Sequence, residues 1–297
     1  MKKHMVTLKV LVIIGLFAWS APASSASKVL HRDFVSKSLG MKRNYWVYLP
    51  DGYEGKGPQR YPVIYALHGL GGNGFNFFKY GDLKSLLDKL IAAGKLRPVI
   101  VVSPNGGNGY WTNHRDASGR RGKRWGDYVA RDLVVEIDRV YATQSNRKGR
   151  ALVGVSMGGF GALSLTLQHP ETFHAGISLS GALFPKPPSH RKVYWKAWGN
   201  PPNKAHWRRI SPIALLKKLK AKSPLLPRLF IQCGDKDSLG FYEYATLAHK
   251  TLDKQGVEHV FRTAKGGKHN WETWEPEGRH WLLFLEEGWA ERKAASP

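Results

Sequence analysis

The sequence predicts an α/β fold with a mostly parallel sheet and helices on both faces. Three observations carry this. Short runs that are apolar throughout alternate with stretches of helical spacing, as a doubly covered parallel sheet requires. The runs recur along most of the chain with no internal repeat. The 297 residues are 42% hydrophobic and 23% charged, a composition of folded globular proteins. One domain over residues 28–297 accommodates the pattern.

The elements follow in order. Arg43–Leu49 alternates as an early antiparallel strand. Pro62–Leu67 is a buried strand ending at His68-Gly69. Leu83–Ala93 has helical spacing and stops at Gly94. Pro98–Ser103 is a second buried strand, and Asp127–Tyr141 is an amphipathic helix. Ala151–Val155 reads as a strand, followed by a helix of small residues over Met157–His169 that Pro170 ends. His174–Leu179, Arg228–Gln232 and His259–Thr263 continue the strands. Helices over Phe241–Gln255 and Arg279–Arg292 close the chain. Residues 184–223 break the alternation and read as a basic excursion over one end of the sheet.

The N-terminus reads as a secretory signal over residues 1–26. Lys2 and Lys3 precede the apolar run Val10–Trp19, and Ala21, Ala23, Ser24 and Ala26 supply small residues. Cleavage is expected near Ala23 or Ala26, making the protein secreted or periplasmic, with an uncleaved anchor as the alternative. The mature chain is expected to have no transmembrane segment. The single cysteine, Cys233, excludes an internal disulfide framework.

Gly154-Val-Ser156-Met-Gly158 follows a strand and opens a helix, the context that a Gly-x-Ser-x-Gly nucleophile elbow needs. A serine hydroxyl needs a base, and the base needs an orienting carboxylate. Asp237 and His269 each follow a strand, where sites in parallel sheets form. They give the Ser…Asp…His order of α/β-hydrolases. Asp235 is the alternative acid. His114 lies in a basic loop, and the remaining histidines read as packing or surface residues. No spacing of His, Cys or acidic residues suggests a metal site. One oxyanion donor is expected from the Met157 amide and the other from the loop His68–Gly72.

Five motifs together resemble the esterase D / antigen 85 group of α/β-hydrolases. They are His68–Gly72, Ser103–Asn108, Gly154–Gly161, Cys233–Asp237 and Gly267–Trp271. That group includes feruloyl and acetyl-xylan esterases, S-formylglutathione hydrolases and mycolyltransferases. The resemblance implies an α/β-hydrolase fold, no cofactor, Ser156 as nucleophile, Asp237 as acid and His269 as base. It also implies the amides of Leu70 and Met157 as the oxyanion hole. Residues 184–223 match no one branch, and the signal argues against a cytosolic S-formylglutathione hydrolase.

The expected activity is a serine esterase acting on small-molecule or carbohydrate esters. The alternatives are an acyltransferase with the same residues and a non-catalytic envelope-binding protein on this scaffold. The formal charge is +24, and removing Lys2, Lys3 and Lys9 leaves +21. Between Glu171 and Asp235 there is no acidic residue, while twelve are basic. Arg115, Arg120, Arg121, Lys123 and Arg124 form a second cluster. With Tyr110, Trp111, Tyr194, Trp195, Trp198 and Trp207 interleaved, these segments are expected to form a basic, aromatic-rimmed mouth near the active site. It would attract an anionic substrate, surface or polymer. A solvated basic face is the alternative. Nucleic acid is not expected, given the export signal and the serine constellation.

Overall fold

The computed structural model describes residues 26–290. The signal segment therefore lies outside the described residues, apart from Ala26.

Among the described residues ten strands form: β1 (Lys28–Ser36), β2 (Met41–Leu49), β3 (Val63–Leu67), β4 (Ile100–Pro104), β5 (Asn113–Arg115), β6 (Arg121–Arg124), β7 (Arg150–Val155), β8 (Ala175–Leu179), β9 (Arg228–Gly234) and β10 (Val260–Ala264). Eight of them build one sheet in the order β1-β2-β4-β3-β7-β8-β9-β10. β1 pairs antiparallel with β2, and β2 antiparallel with β4; every later pairing in this sheet is parallel. β5 and β6 make a separate antiparallel hairpin.

Strands β3, β4, β7 and β8 are buried at every residue. Successive side chains point to opposite faces, so each strand feeds two cores. Val63, Tyr65, Leu67, Leu152, Leu229 and Ile231 join one core with helical residues such as Tyr128, Leu133, Phe160 and Leu163. Ile64, Ala66, Val153, Ile177 and Phe230 join the other with Leu83, Leu87, Trp281 and Leu285. Each large side chain buried this way contributes about 1.5–3 kcal/mol.

The helix Met157–Gln168 is buried from Met157 to Thr166. It is covered by the sheet on one side and by the excursion on the other. Ser164 Oγ donates to the Ile210 carbonyl at 2.6 Å, and the Phe160 ring lies 6.0 Å from Trp198 and 5.9 Å from Trp207. A helix buried on all sides needs no amphipathic stripe, which explains its uniformly apolar and small composition.

The secondary structure differs from the sequence expectation at several elements. β1 and the β5–β6 hairpin lack the apolar pattern by which strands are recognised. The expected amphipathic helix begins at Trp125 and carries a π-helical stretch over Tyr128–Leu133. Residues 184–223 form three short helices: Lys192–Trp198, Lys204–Ile210 and Pro212–Leu216.

The expected aromatic rim is corrected. Tyr110, Trp111, Tyr194, Trp198 and Trp207 are buried, and Trp195 alone of the six is exposed. Within the excursion Phe184, Tyr194, Trp198 and Trp207 point inward as anchors, while all its Lys and Arg residues are exposed; Arg228, just beyond it, is half-buried. Arg228 also pairs with Glu287.

Candidate active site

Ser156 sits between β7 and the helix it opens, with φ 57° and ψ −116°. This left-handed backbone at a non-glycine residue is strained and persists only where its surroundings fix it. Its amide donates to the Leu179 carbonyl at 2.9 Å, and its carbonyl accepts from Phe160 and Ala182, both at 3.1 Å. Gly158 is required here, because a Cβ would fall 1.8 Å from the Leu67 carbonyl oxygen. That close approach sets the first turn of the helix directly over the end of β3.

His269 and Asp237 come from the loops after β10 and β9. His269 Nε2 lies 2.9 Å from Ser156 Oγ, and His269 Nδ1 lies 2.7 Å from Asp237 Oδ2. The two loops touch at Gly234, where a Cβ would fall 2.2 Å from the Gly267 carbonyl oxygen. The rings of Phe241 and Trp274 meet His269 edge-on at 5.2 and 5.0 Å. They fix the imidazole plane and keep the site apolar.

The other Asp237 oxygen accepts from the Leu239 amide at 3.0 Å. Burial opposes the charged form of Asp237. The hydrogen bond and charge of His269, with the amides of Leu239 and Phe241, outweigh it and hold the carboxyl below the usual carboxylate range. Asp235 is not brought to His269. Its Oδ1 accepts from the Gly266 amide at 2.6 Å, so it braces the loop that carries the histidine. The neighbouring Cys233 thiol is pushed up to about 12, chiefly by burial, so it is inert as a nucleophile.

The loop after β3 approaches the serine at Gly69, where a Cβ would lie 3.4 Å from Ser156 Cβ. Its shape is fixed from outside. Asn108 Oδ1 accepts from the Gly71 amide at 2.8 Å, and Trp111 Nε1 donates to the His68 carbonyl at 3.2 Å. His68 itself is fully buried. Its Nδ1–H donates to the Gly69 carbonyl at 2.7 Å, and Nε2 accepts from the Gly106 amide at 3.1 Å. Both nitrogens are used by a neutral ring. Burial lowers its pKa to about 4, despite the opposing Gly69 bond. Leu70 is exposed at the tip of this loop, and Met157 is buried directly after the serine.

Residues that sequence reasoning did not assign support this arrangement. Trp274 Nε1 donates to Ser180 Oγ at 2.9 Å, and the Cys233 thiol lies 3.6 Å from the same oxygen and 3.7 Å from Asp237 Oδ2. Trp271-x-x-Trp274, placed just after His269, was the available signal. An aromatic chain also leads away from the site: Phe241 lies 5.6 Å from Phe184, which lies 5.7 Å from Tyr194. The basic excursion thus begins beside the histidine.

A mostly parallel sheet with a serine elbow, and a histidine and carboxylate on the following strand ends, defines the serine esterases of the α/β-hydrolase fold. Residues 36–277 match the model of the family described as "Putative esterase", and the chain belongs to that family. Among curated relatives, an endo-1,4-beta-xylanase/feruloyl esterase of Xylanibacter ruminicola is 35% identical over 51% of this chain and 21% of its own length. A diacylglycerol acyltransferase/mycolyltransferase Ag85B of Mycobacterium leprae is 26% identical over 88% of this chain and 86% of its own. Among solved structures, a ferulic acid esterase superposes with a TM-score of 0.76 at 26% identity. That match covers 89% of this chain and 99% of the other. The chain spans 21–31% of the length of the first curated relatives it matches.

Proposed function

We propose that the protein is an exported carboxylic-ester hydrolase in which Ser156, His269 and Asp237 form the catalytic triad. The observation that carries this is the continuous hydrogen-bonded line from Ser156 Oγ through His269 to Asp237. His269 Nε2 removes the serine proton as Oγ attacks the ester carbonyl. The amides of Leu70 and Met157 receive the oxyanion. The imidazolium then gives its proton to the leaving alcohol, and an acyl-enzyme remains. Water, deprotonated by His269, releases the acid. Asp237 holds the Nδ1–H tautomer and stabilises the imidazolium.

The substrates proposed are acyl esters of carbohydrates or other small alcohols. The feruloyl esterase relative and the ferulic acid esterase structure support this class. Export rests on the Lys2–Ala26 sequence pattern, and among the described residues no helix is long and apolar enough to cross a membrane. The cofactor-free chemistry follows from the same three side chains.

The test is hydrolysis of p-nitrophenyl acetate and butyrate by Ser156→Ala. Its activity falls to background while its circular dichroism stays unchanged; wild-type-like turnover refutes the assignment. A panel of acetyl, butyryl, feruloyl and long-chain esters then reads the acyl preference. The second reading, acyl transfer to an alcohol, is favoured by the length of the match to the mycolyltransferase. Product analysis with added sugar acceptors separates the two, since transfer yields a new ester in place of free acid.

A further inference from the structure

Away from the active site, His249, Asp253 and His259 form a compact cluster. His249 and Asp253 stand one turn apart on the helix Phe241–Lys254, which places them on one face. His259 comes from the segment just before β10. The His249 Nδ1 to His259 Nε2 distance is 2.8 Å, and His249 Nε2 to Asp253 Oδ2 is 3.3 Å. Asp253 Oδ1 lies 3.9 Å from His259 Nε2. The His249 ring stacks on Phe261 at 4.5 Å.

The orientation of the rings makes this cluster unusual. His259 Nδ1 faces the Val257 carbonyl at 2.8 Å, and a carbonyl only accepts, so that nitrogen donates. The lone pair of His259 Nε2 is thereby turned toward His249 and Asp253. Two imidazoles and one carboxylate offer their ligand atoms within one small volume.

We propose that the cluster binds a divalent cation of the zinc class through His259 Nε2, one ring nitrogen of His249 and an Asp253 oxygen. One ligand atom from each residue lies within 4.8 Å of the others. The edge of a tetrahedral zinc site is about 3.3 Å; His249 Nε2 to Asp253 Oδ2 matches it, and the exposed Asp253 side chain has the freedom to shorten its 3.9 Å separation from His259 Nε2. Two imidazoles and a carboxylate suit zinc and not magnesium or calcium, which take all-oxygen shells. The Val257 carbonyl provides the outer hydrogen bond that orients a ligating histidine. A water completes the fourth position.

The location gives the site a role. The helix carrying His249 and Asp253 follows the Asp237 loop, and β10 leads from His259 to His269. A cation here clips together the two elements that carry the acid and the base, at their ends remote from the reacting atoms. The sequence spacing did not reveal it, because the third ligand comes from a different element.

The test titrates zinc chloride into the untagged, chelator-treated protein by calorimetry and follows thermal unfolding in parallel. One zinc binds per chain and raises the midpoint, as a ligand of the native state must. His249→Gln and Asp253→Asn, each checked for native circular dichroism and unchanged esterase activity, weaken binding by more than about tenfold and lose the thermal shift. Magnesium produces neither effect. The proposal is overturned if wild type shows no saturable zinc binding. It is also overturned if both variants bind zinc as wild type does.

Discussion

At Ser156 the backbone, the hydroxyl and the neighbouring glycine are matched to one task. The positive φ lifts the hydroxyl toward His269, and Gly158 lets the helix sit against β3. The residue scale also separates two aspartates that differ by two positions. Asp237 is bonded to His269, whereas Asp235 is bonded to the Gly266 amide. Asp237→Asn should therefore lower kcat by about 10³–10⁴-fold, because the imidazole loses its tautomer and its counter-charge. Asp235→Asn should lower it far less, and steady-state kinetics of the two variants decides. The choice between them was legible only as a preference in the sequence, since both follow the same strand. Ser156 and His269 were legible as candidates: one lies in a glycine elbow, the other follows a strand in a glycine-rich loop.

Among the elements, the loop after β3 depends on His68 remaining neutral. Folded His68 titrates at about 4 against an ordinary 6.5, and His206 is lowered to about 4 by burial and by Arg115. Between those values the unfolded chain binds the protons that the folded chain refuses. The contribution of these two rings should then be lost as pH drops from about 6.5 to about 4, and Asp237, held below the carboxylate range, continues the fall at lower pH. His68 alone accounts for up to about 3 kcal/mol of the change. Urea midpoints across this range measure it, and replacing His68 should reduce the slope. The excursion helices make a second case. Trp198 is fully buried and stacks on Tyr194 at 5.6 Å. Trp198→Ala should cost about 3–5 kcal/mol in denaturant unfolding. Lys217→Ser or Lys220→Ser should stay within about 0.5 kcal/mol of wild type, because both are exposed. These helices escaped sequence reading for a physical reason. Each is seven residues or shorter, too brief for its periodicity to stand out among prolines and lysines. β1 escaped because its exposed Arg32 and Asp33 interrupt the alternation of an edge strand.

For the whole molecule, the charge and the fold separate cleanly. The parallel sheet was legible because buried strands must be apolar on both faces. The position of the aromatics was not, because composition cannot tell an anchor from a rim. The basic residues of the excursion remain on the surface, starting beside Phe184 and the histidine. If that field steers substrate, kcat/KM for an anionic ester should fall with added salt while that for a neutral ester stays flat. Equal, flat responses would leave the charge as a solvated face. The central claim is that one hydroxyl carries the acyl group. A fluorophosphonate probe followed by peptide mass mapping tests it most directly. The account predicts a single adduct on Ser156 that is absent from Ser156→Ala. A wild-type enzyme that hydrolyses esters with no adduct at Ser156, or with the adduct on another residue, would contradict it.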